Sequence, residues 1–121
     1  MQITTPVADA VAHYLDLSSL ELKLTAQNMA NVDTPGYRTV GFDFAEEMSR
    51  SLQQVGSENG AVPAPEIGAV DGLLERPDGN NVSMDREGLK MAEAQLQFRT
   101  GVELLRNEFT RVMDAVHEDQ K

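Results

Sequence analysis

Asn28-Met-Ala-Asn-Val-Asp-Thr-Pro-Gly-Tyr37 is the stretch of sequence that decides the fold, because it ends a helix and reverses the chain. Pro35 has no backbone N–H and disfavours the α conformation of the residue before it, so an incoming helix has to end by about Asp33. The last four residues fit a type II turn, in which Pro presets φ at the second position and Gly supplies a positive φ at the third. Two Asn three positions apart share a helix face, where their amides can bond open carbonyl groups or a neighbouring chain. The predicted turn site comprises Asn28, Asn31, Thr34, Pro35, Gly36 and Tyr37.

A long helix is predicted before this turn, and another at the C-terminal end of the chain. Thr5-Pro6 is typical of a helix start, with Thr as the N-cap and Pro at the first helical position. Ser83 can cap the second helix in the same way. In both helices one face follows alternating steps of four and three, a mean period of about 3.5, which is typical of helices that pair along a seam. The residues predicted to carry this seam are Leu15, Leu22, Met29, Phe98, Val102, Leu105, Phe109 and Val112.

The predicted fold class is therefore mainly α, with the two long helices paired as an antiparallel coiled-coil hairpin around a short middle segment. We divide the chain into an N-terminal helix (1–33), a middle segment (34–82) and a C-terminal helix (83–121). In the middle, Arg38–Phe44 is expected to be extended, and Asp43 is expected to cap a short helix with Glu46 at the capping-box position. Residues 56–80 have the Gly- and Pro-rich composition of a loop.

The composition excludes several classes of function. The net charge is −10, with nine acids against three bases between residues 33 and 82, which is the wrong sign for binding nucleic acid or an anionic membrane. There is no Cys for a disulfide or a thiolate metal site, and no apolar run long enough to span a membrane. His13 and His117 lack a metal-binding spacing, and no catalytic motif is present, so we predict no enzyme activity, small-molecule substrate, metal or cofactor.

The predicted helices are too long for a compact single chain. Helices of about 28 and 34 residues would measure about 42 and 51 Å, whereas a globule of this size is about 35 Å across. Pairing along the seam would also leave apolar edges exposed, at Leu17, Leu20 and Leu24 on one helix and at Leu89 and Leu96 on the other. Exposed apolar stripes of this kind indicate further protein partners.

The turn also carries a family resemblance. Leu17-Ser-Ser-Leu20 followed by Gln27-Asn-Met-Ala-Asn-Val-Asp-Thr-Pro-Gly-Tyr-Arg38 resembles the N-terminal motif of flagellar basal-body rod proteins, with Met29 at a position that is usually Ile or Leu. Arg38–Phe44 and Gly79-Asn-Asn-Val-Ser-Met-Asp-Arg-Glu87 resemble the proximal rod subunit of that family more than a subunit such as FlgC. The resemblance covers roughly residues 7–44 and 79–118.

This resemblance implies a structural subunit of the proximal rod that assembles helically, transmits torque and encloses the export channel. It implies export without a cleavable signal peptide and residence in the cell envelope, although the sequence without the resemblance indicates a cytosolic protein. The implied partners are other rod proteins, further copies of the chain, the adaptor FliE and the MS-ring. The alternatives are another rod subunit, FlgC-like, and a cytosolic coiled-coil adaptor or export chaperone.

Overall fold

The computed structural model describes residues 5–57 and 61–120. It contains helix α1 (Pro6–Ala30), strand β1 (Val40–Gly41), helix α2 (Phe44–Gln54), strand β2 (Gly68–Ala69) and helix α3 (Met84–Glu118). The predicted mainly helical class with long terminal helices is confirmed. The parts of the predicted segments that fall on residues 1–4, 58–60 and 121 lie outside the described residues.

Local capping explains where each helix begins. Thr5, Asp43 and Ser83 precede the three helices, and the side chain of each accepts a hydrogen bond from the backbone N–H three residues further on, at 3.0, 3.1 and 3.3 Å. All three predicted caps are thus confirmed. The Glu46 carboxylate, which was expected to complete a capping box, instead lies 3.6 Å from the guanidinium of Arg50.

The two long helices run antiparallel along each other. The Thr5 hydroxyl at the start of α1 donates a 2.7 Å hydrogen bond to Glu108 near the end of α3. At the other end of the pair, the Asn28 amide donates to the Glu87 carboxylate at 3.1 Å. Between these two contacts α3 approaches α1 at Gly101, where a Cβ atom would lie 2.6 Å from the Leu15 side chain. The pair is therefore in contact over almost the whole of α1.

The buried line between the two helices is mainly polar or small. On α1 it passes through Val11, Ser18, Glu21, Thr25 and Asn28, and on α3 the buried positions are Glu87, Ala94 and Gly101, spaced seven residues apart. Small side chains let the helix backbones approach closely, but they bury little apolar area. Hydrophobic stabilisation of this contact, at about 25 cal/mol per Å² of apolar surface, is correspondingly modest.

One expectation about exposed edges is wrong. Leu17 and Leu24 were expected to face outside partners, yet they are only 5% and 7% exposed. Leu17 lies beside α2 and the segment 62–65, and Leu24 lies beside β1, so the middle segment of the same chain covers both. On α3 the expectation is confirmed, because Leu89 and Leu96 are 71% and 67% exposed.

A short strand pair, which the sequence analysis did not predict, organises the middle segment. β1 and β2 pair antiparallel, with Val40 opposite Ala69 and Gly41 opposite Gly68. The extended conformation around β1 was expected, but β2 lies inside the stretch that was assigned to a loop. A two-residue strand rich in Gly and Ala has no alternation to detect, so only its distant partner identifies it.

At 1.5 Å per residue, α1 (25 residues) and α3 (35 residues) are about 37 and 52 Å long. Within the described residues, none of the helices combines the length and the apolar character needed to cross a bilayer.

Gly101 provides a test of the close helix contact. Gly101→Ala should lower the free energy of unfolding by about 1–3 kcal/mol, because its Cβ would lie 2.6 Å from Leu15 and 3.1 Å from Tyr14. Gly88 lies on the same helix, and a Cβ atom there would have nothing within 4 Å. Gly88→Ala should therefore raise the free energy of unfolding by about 0.5–1 kcal/mol through helix propensity alone. Urea unfolding followed by circular dichroism measures both variants. Equal stabilisation by the two substitutions would contradict the close approach.

Candidate functional site

The turn after α1 has the geometry that its sequence predicts. α1 ends at Ala30, the Tyr37 N–H donates to the Thr34 carbonyl at 3.2 Å, and Gly36 has a φ of 75°. The Asn31 amide donates to the Gln27 carbonyl at 2.8 Å, and the same carbonyl also accepts from the Asn31 backbone N–H at 3.2 Å. The hydrogen bond and the positive φ agree with the predicted type II turn, and the Asn31 amide lies at the end of α1, which is one of the two uses that the sequence left open for it.

Asn28 is the centre of a buried polar cluster, which we call the hub: Asn28, Tyr37, Thr39, Asn80, Asn81 and Glu87. The Asn28 amide nitrogen donates to the Val40 carbonyl at 2.8 Å, and its oxygen accepts from the Val40 N–H at 3.1 Å. This side chain therefore binds Val40 as the backbone of a neighbouring strand would. The amide oxygen also accepts from the Tyr37 hydroxyl at 3.0 Å. One side chain thus holds α1, the turn and β1 together.

Glu87 joins the hub from the first turns of α3. Its side chain is 1% exposed, and a carboxylate so deeply buried requires both hydrogen bonds and a counter-charge. One carboxylate oxygen accepts from the Asn28 amide at 3.1 Å, and the other is 2.6 Å from the Arg86 guanidinium. The two long helices are consequently linked by an amide and a carboxylate at the end where the middle segment leaves them.

Asn80 and Asn81 bind the turn from the opposite side. The Asn80 amide donates to the Asn31 and Thr34 carbonyls at 2.9 and 2.8 Å, while the Asn81 oxygen accepts from the Thr39 N–H at 2.7 Å. Both Asn are buried, at 0% and 3% exposure. The segment before α3 therefore adds a second hydrogen bond to the Asn31 and Thr34 carbonyls, which also accept backbone N–H groups within the turn, and it satisfies the Thr39 N–H.

Two glycines let the turn and this segment meet backbone to backbone. The Gly36 N–H donates to the Asp78 carbonyl at 2.9 Å. A Cβ on Gly79 would lie 3.3 Å from the Gly36 Cα, and Gly79 itself has a φ of 85°. A side chain at Gly79 would therefore be strained in conformation and crowded by the turn.

The structure brings the predicted turn residues together around the hub. Asn28 is buried and Tyr37 is half-buried, whereas Thr34, Pro35 and Gly36 lie at the exposed surface of the turn. No pattern in the sequence singled out Thr39, Asn80, Asn81, Glu87 or Arg76. The Arg76 guanidinium donates to the Val32 carbonyl. Asn80, Asn81 and Glu87 belong to the segment 79–87 that carried the family resemblance, but nothing in the sequence indicated what that segment would contact.

The predicted seam residues flank the buried line between the helices. Half-buried positions are Leu15, Leu22, Met29, Val102, Leu105 and Val112. Phe98 and Phe109 are 39% and 62% exposed. The buried centre instead passes through Ala94 and Gly101 on α3, which are small and were not selected by an apolar pattern.

Glu21 is a buried acid in the middle of the helix pair. One of its carboxylate oxygens is 3.6 Å from the Lys90 ammonium group, and the other has no hydrogen-bond partner among the described residues. Burial raises the pKa of the Glu21 carboxyl, and nearby Glu93 raises it further, whereas Lys90 and Arg86 lower it. The raised pKa means that this site favours the neutral form of the acid.

The described residues contain no group of three or more His, Cys, Asp or Glu side chains placed to hold a metal ion. Among the described residues, the two long helices are joined at one end by the buried polar hub, and α3 exposes apolar side chains. No protein-family model matches the chain.

Curated relatives identify the family of the chain. Flagellar basal body rod protein FlgB of Salmonella typhimurium strain LT2 is 32% identical over 119 residues, which cover 84% of this chain and 86% of that protein. The proteins of the same name from Escherichia coli strain K12 and Yersinia ruckeri are 29% and 26% identical, covering 84% and 86% of this chain and 86% and 88% of their own lengths. The chain is thus a flagellar basal body rod protein. It belongs to the FlgB family.

Asn28 and Asn31 form a matched pair for testing the hub. Asn28→Ala should lower the free energy of unfolding by about 2–4 kcal/mol, because it leaves both polar groups of Val40 without their partner and removes the amide from the buried Glu87 carboxylate. Asn31→Ala removes exposed bonds within its own turn and should cost about 1 kcal/mol or less. Chemical denaturation measures both, and similar losses for the two variants would contradict the central role of Asn28.

The raised pKa of Glu21 predicts a pH-dependent effect of Glu21→Gln. Below the ordinary pKa of a glutamic acid, about 4.3, the Glu21 carboxyl is neutral in both the folded and the unfolded chain, so its burial carries no charge penalty. As the pH rises through the raised folded pKa, the native state has to bury a carboxylate, so the wild-type chain loses stability that the Gln variant keeps. The variant should therefore gain stability relative to wild type between pH 4 and pH 7. A difference in unfolding free energy that is constant or reversed over this range would show that attraction to Lys90 outweighs burial.

Proposed function

We propose that this chain is a structural subunit of the proximal rod of the bacterial flagellar basal body, where copies assemble helically with other rod proteins. Family membership supports the assignment, and the observation that carries the assembly role is the exposure of large apolar side chains on two sides of α3. Leu89 and Leu96 lie on one side of the helix and Phe109, Met113 and Val116 on the other, and each is 48–71% exposed. A single chain leaves such side chains exposed on one helix when other subunits cover them.

We further propose that α1 and α3 form an antiparallel coiled coil in the assembled rod, with 1–33 and 83–121 as its two arms and 34–82 as the middle segment. In this proposal the flanking residues Leu15, Leu22, Met29, Val102, Leu105 and Val112 hold the arms together, and Phe98 and Phe109 contact neighbouring subunits. The exposure of the two Phe rings supports this division of roles.

The proposed mechanism is mechanical rather than catalytic. Helical pairs packed side by side would carry torque along the rod and enclose the channel through which later components are exported. The hub sets where the middle segment leaves the helix pair, since Asn28 and Glu87 bind each other across the two helices. A rigid exit point would hold the outer part of each subunit at one angle relative to its neighbours.

The partners and location follow from the same proposal. The chain would be exported through the flagellar apparatus without cleavage of a signal peptide and would reside in the basal body within the cell envelope. Its neighbours would be other rod proteins, the adaptor FliE and the MS-ring. We propose no cofactor, metal, nucleic acid or small-molecule substrate.

Gly36→Val should abolish swimming when it is the sole copy in cells that lack the native chain. Val is strongly disfavoured at a φ of 75°, so the substitution rearranges the turn. This turn carries Tyr37, and its residue-36 N–H donates to the Asp78 carbonyl. Gly56→Val meets the same conformational constraint, at a φ of 84° after α2 and away from the hub, and should leave swimming largely intact. Soft-agar motility, basal-body isolation and immunoblotting of chain levels measure the outcome. Normal swimming of Gly36→Val at wild-type levels would count against the role of the turn.

A further inference from the structure

An apolar groove lies between the first turns of α1 and the helix α2. It is lined by Val7, Ala10, Met48, Leu52, Val55 and Leu104, and its volume is about 340 Å³. Val7, Leu52 and Leu104 are 53%, 51% and 49% exposed, so the groove opens to the surface of the described chain. The groove is open rather than enclosed, so side chains of a partner can reach its apolar lining from the surface.

A second apolar surface lies on the opposite side of the helix pair. We call it the ridge: Phe98, Phe109, Met113 and Val116 on α3, each 39–62% exposed. With 3.6 residues per turn, Phe109 lies about 140° and Met113 about 180° around α3 from Leu104, which lines the groove. Groove and ridge therefore lie about 120–180° apart around the same helix, so one chain cannot bring its own two surfaces into contact.

Charge favours contact between the two surfaces of different copies. The elements that carry the groove, residues 6–20 and 43–55, hold five acids and one base. Arg99 and Arg106 lie about 220° and 200° around α3 from Leu104, at the rim of the ridge, and Arg106 is paired with Glu103 at 3.1 Å. The positive charge of Arg99 beside the ridge is attracted to the acidic elements around the groove, and the acids on both sides disfavour contact of groove with groove.

We propose that the ridge of one copy docks into the groove of the next copy of this chain, with Phe109 and Met113 as the inserted side chains. The inference deepens the proposed function and rests on it. A contact between two different surfaces of the same chain is heterologous, and repetition of such a contact gives an open helical array unless a ring closes. The groove and ridge supply the two different surfaces that this arrangement requires.

Cysteine cross-linking in swimming cells tests this contact, because the chain contains no native Cys. The double variant Leu52→Cys with Met113→Cys, as the sole copy, places one thiol in the groove and one on the ridge. Mild oxidation should convert the monomer into a ladder of cross-linked multiples of this chain. The control pairs Leu52→Cys with Leu89→Cys, whose position is 71% exposed but belongs to neither surface, and it should stay monomeric. If the first pair does not support swimming, Val7→Cys with Val116→Cys replaces it.

A monomer band in swimming cells, an equal ladder from the control, or a product that contains only a different protein would each overturn the proposal. A dimer formed by Leu52→Cys alone would also overturn it, because it would indicate contact of groove with groove. Failure of the proposed function itself would be seen separately, as a wild-type chain that does not restore swimming to cells lacking the native copy.

Discussion

The structure depends on the burial of one primary amide, the side chain of Asn28. An amide carries both a donor and an acceptor, so it can satisfy the N–H and the carbonyl of Val40 together, as a neighbouring strand would. An apolar residue at this position would leave both groups without partners, and a carboxylate would lie against the buried carboxylate of Glu87. Because β1 is fixed to α1 in this way, and β2 pairs with β1, the path of the whole middle segment follows from this amide.

The helix pair departs from the usual arrangement of an apolar centre with polar flanks. Its buried line runs through Ser18, Glu21 and Thr25 and meets Ala94 and Gly101, while larger apolar side chains lie at the sides. Small residues permit close approach, and burial within this contact raises the pKa of the Glu21 carboxyl. Little of the apolar surface of α3 is therefore used within the chain, and much of it remains available for association.

Features set by local chemistry could be predicted from the sequence. The caps at Thr5, Asp43 and Ser83 depend on residues three positions apart, and the turn at Gly36 depends on its neighbours. Contacts between distant segments could not be predicted, because Asn80 and Asn81 have no property that indicates the Asn31 and Thr39 backbone as partners. The same reason explains why β2 and the cover over Leu17 were missed.

The predicted seam residues on α3 form an apolar stripe, and the exposure of its members differs. The predicted seam residues Val102, Leu105 and Val112 are half-buried, whereas Phe98 and Phe109 of the same seam are 39% and 62% exposed. The seam residues, with their period near 3.5, thus lie at the border between the face of α3 that contacts α1 and a face that is directed away from α1. The apolar stripe on α3 is therefore wider than α1 alone can cover. The width of the stripe, rather than its period, is the property of the sequence that points beyond a single copy.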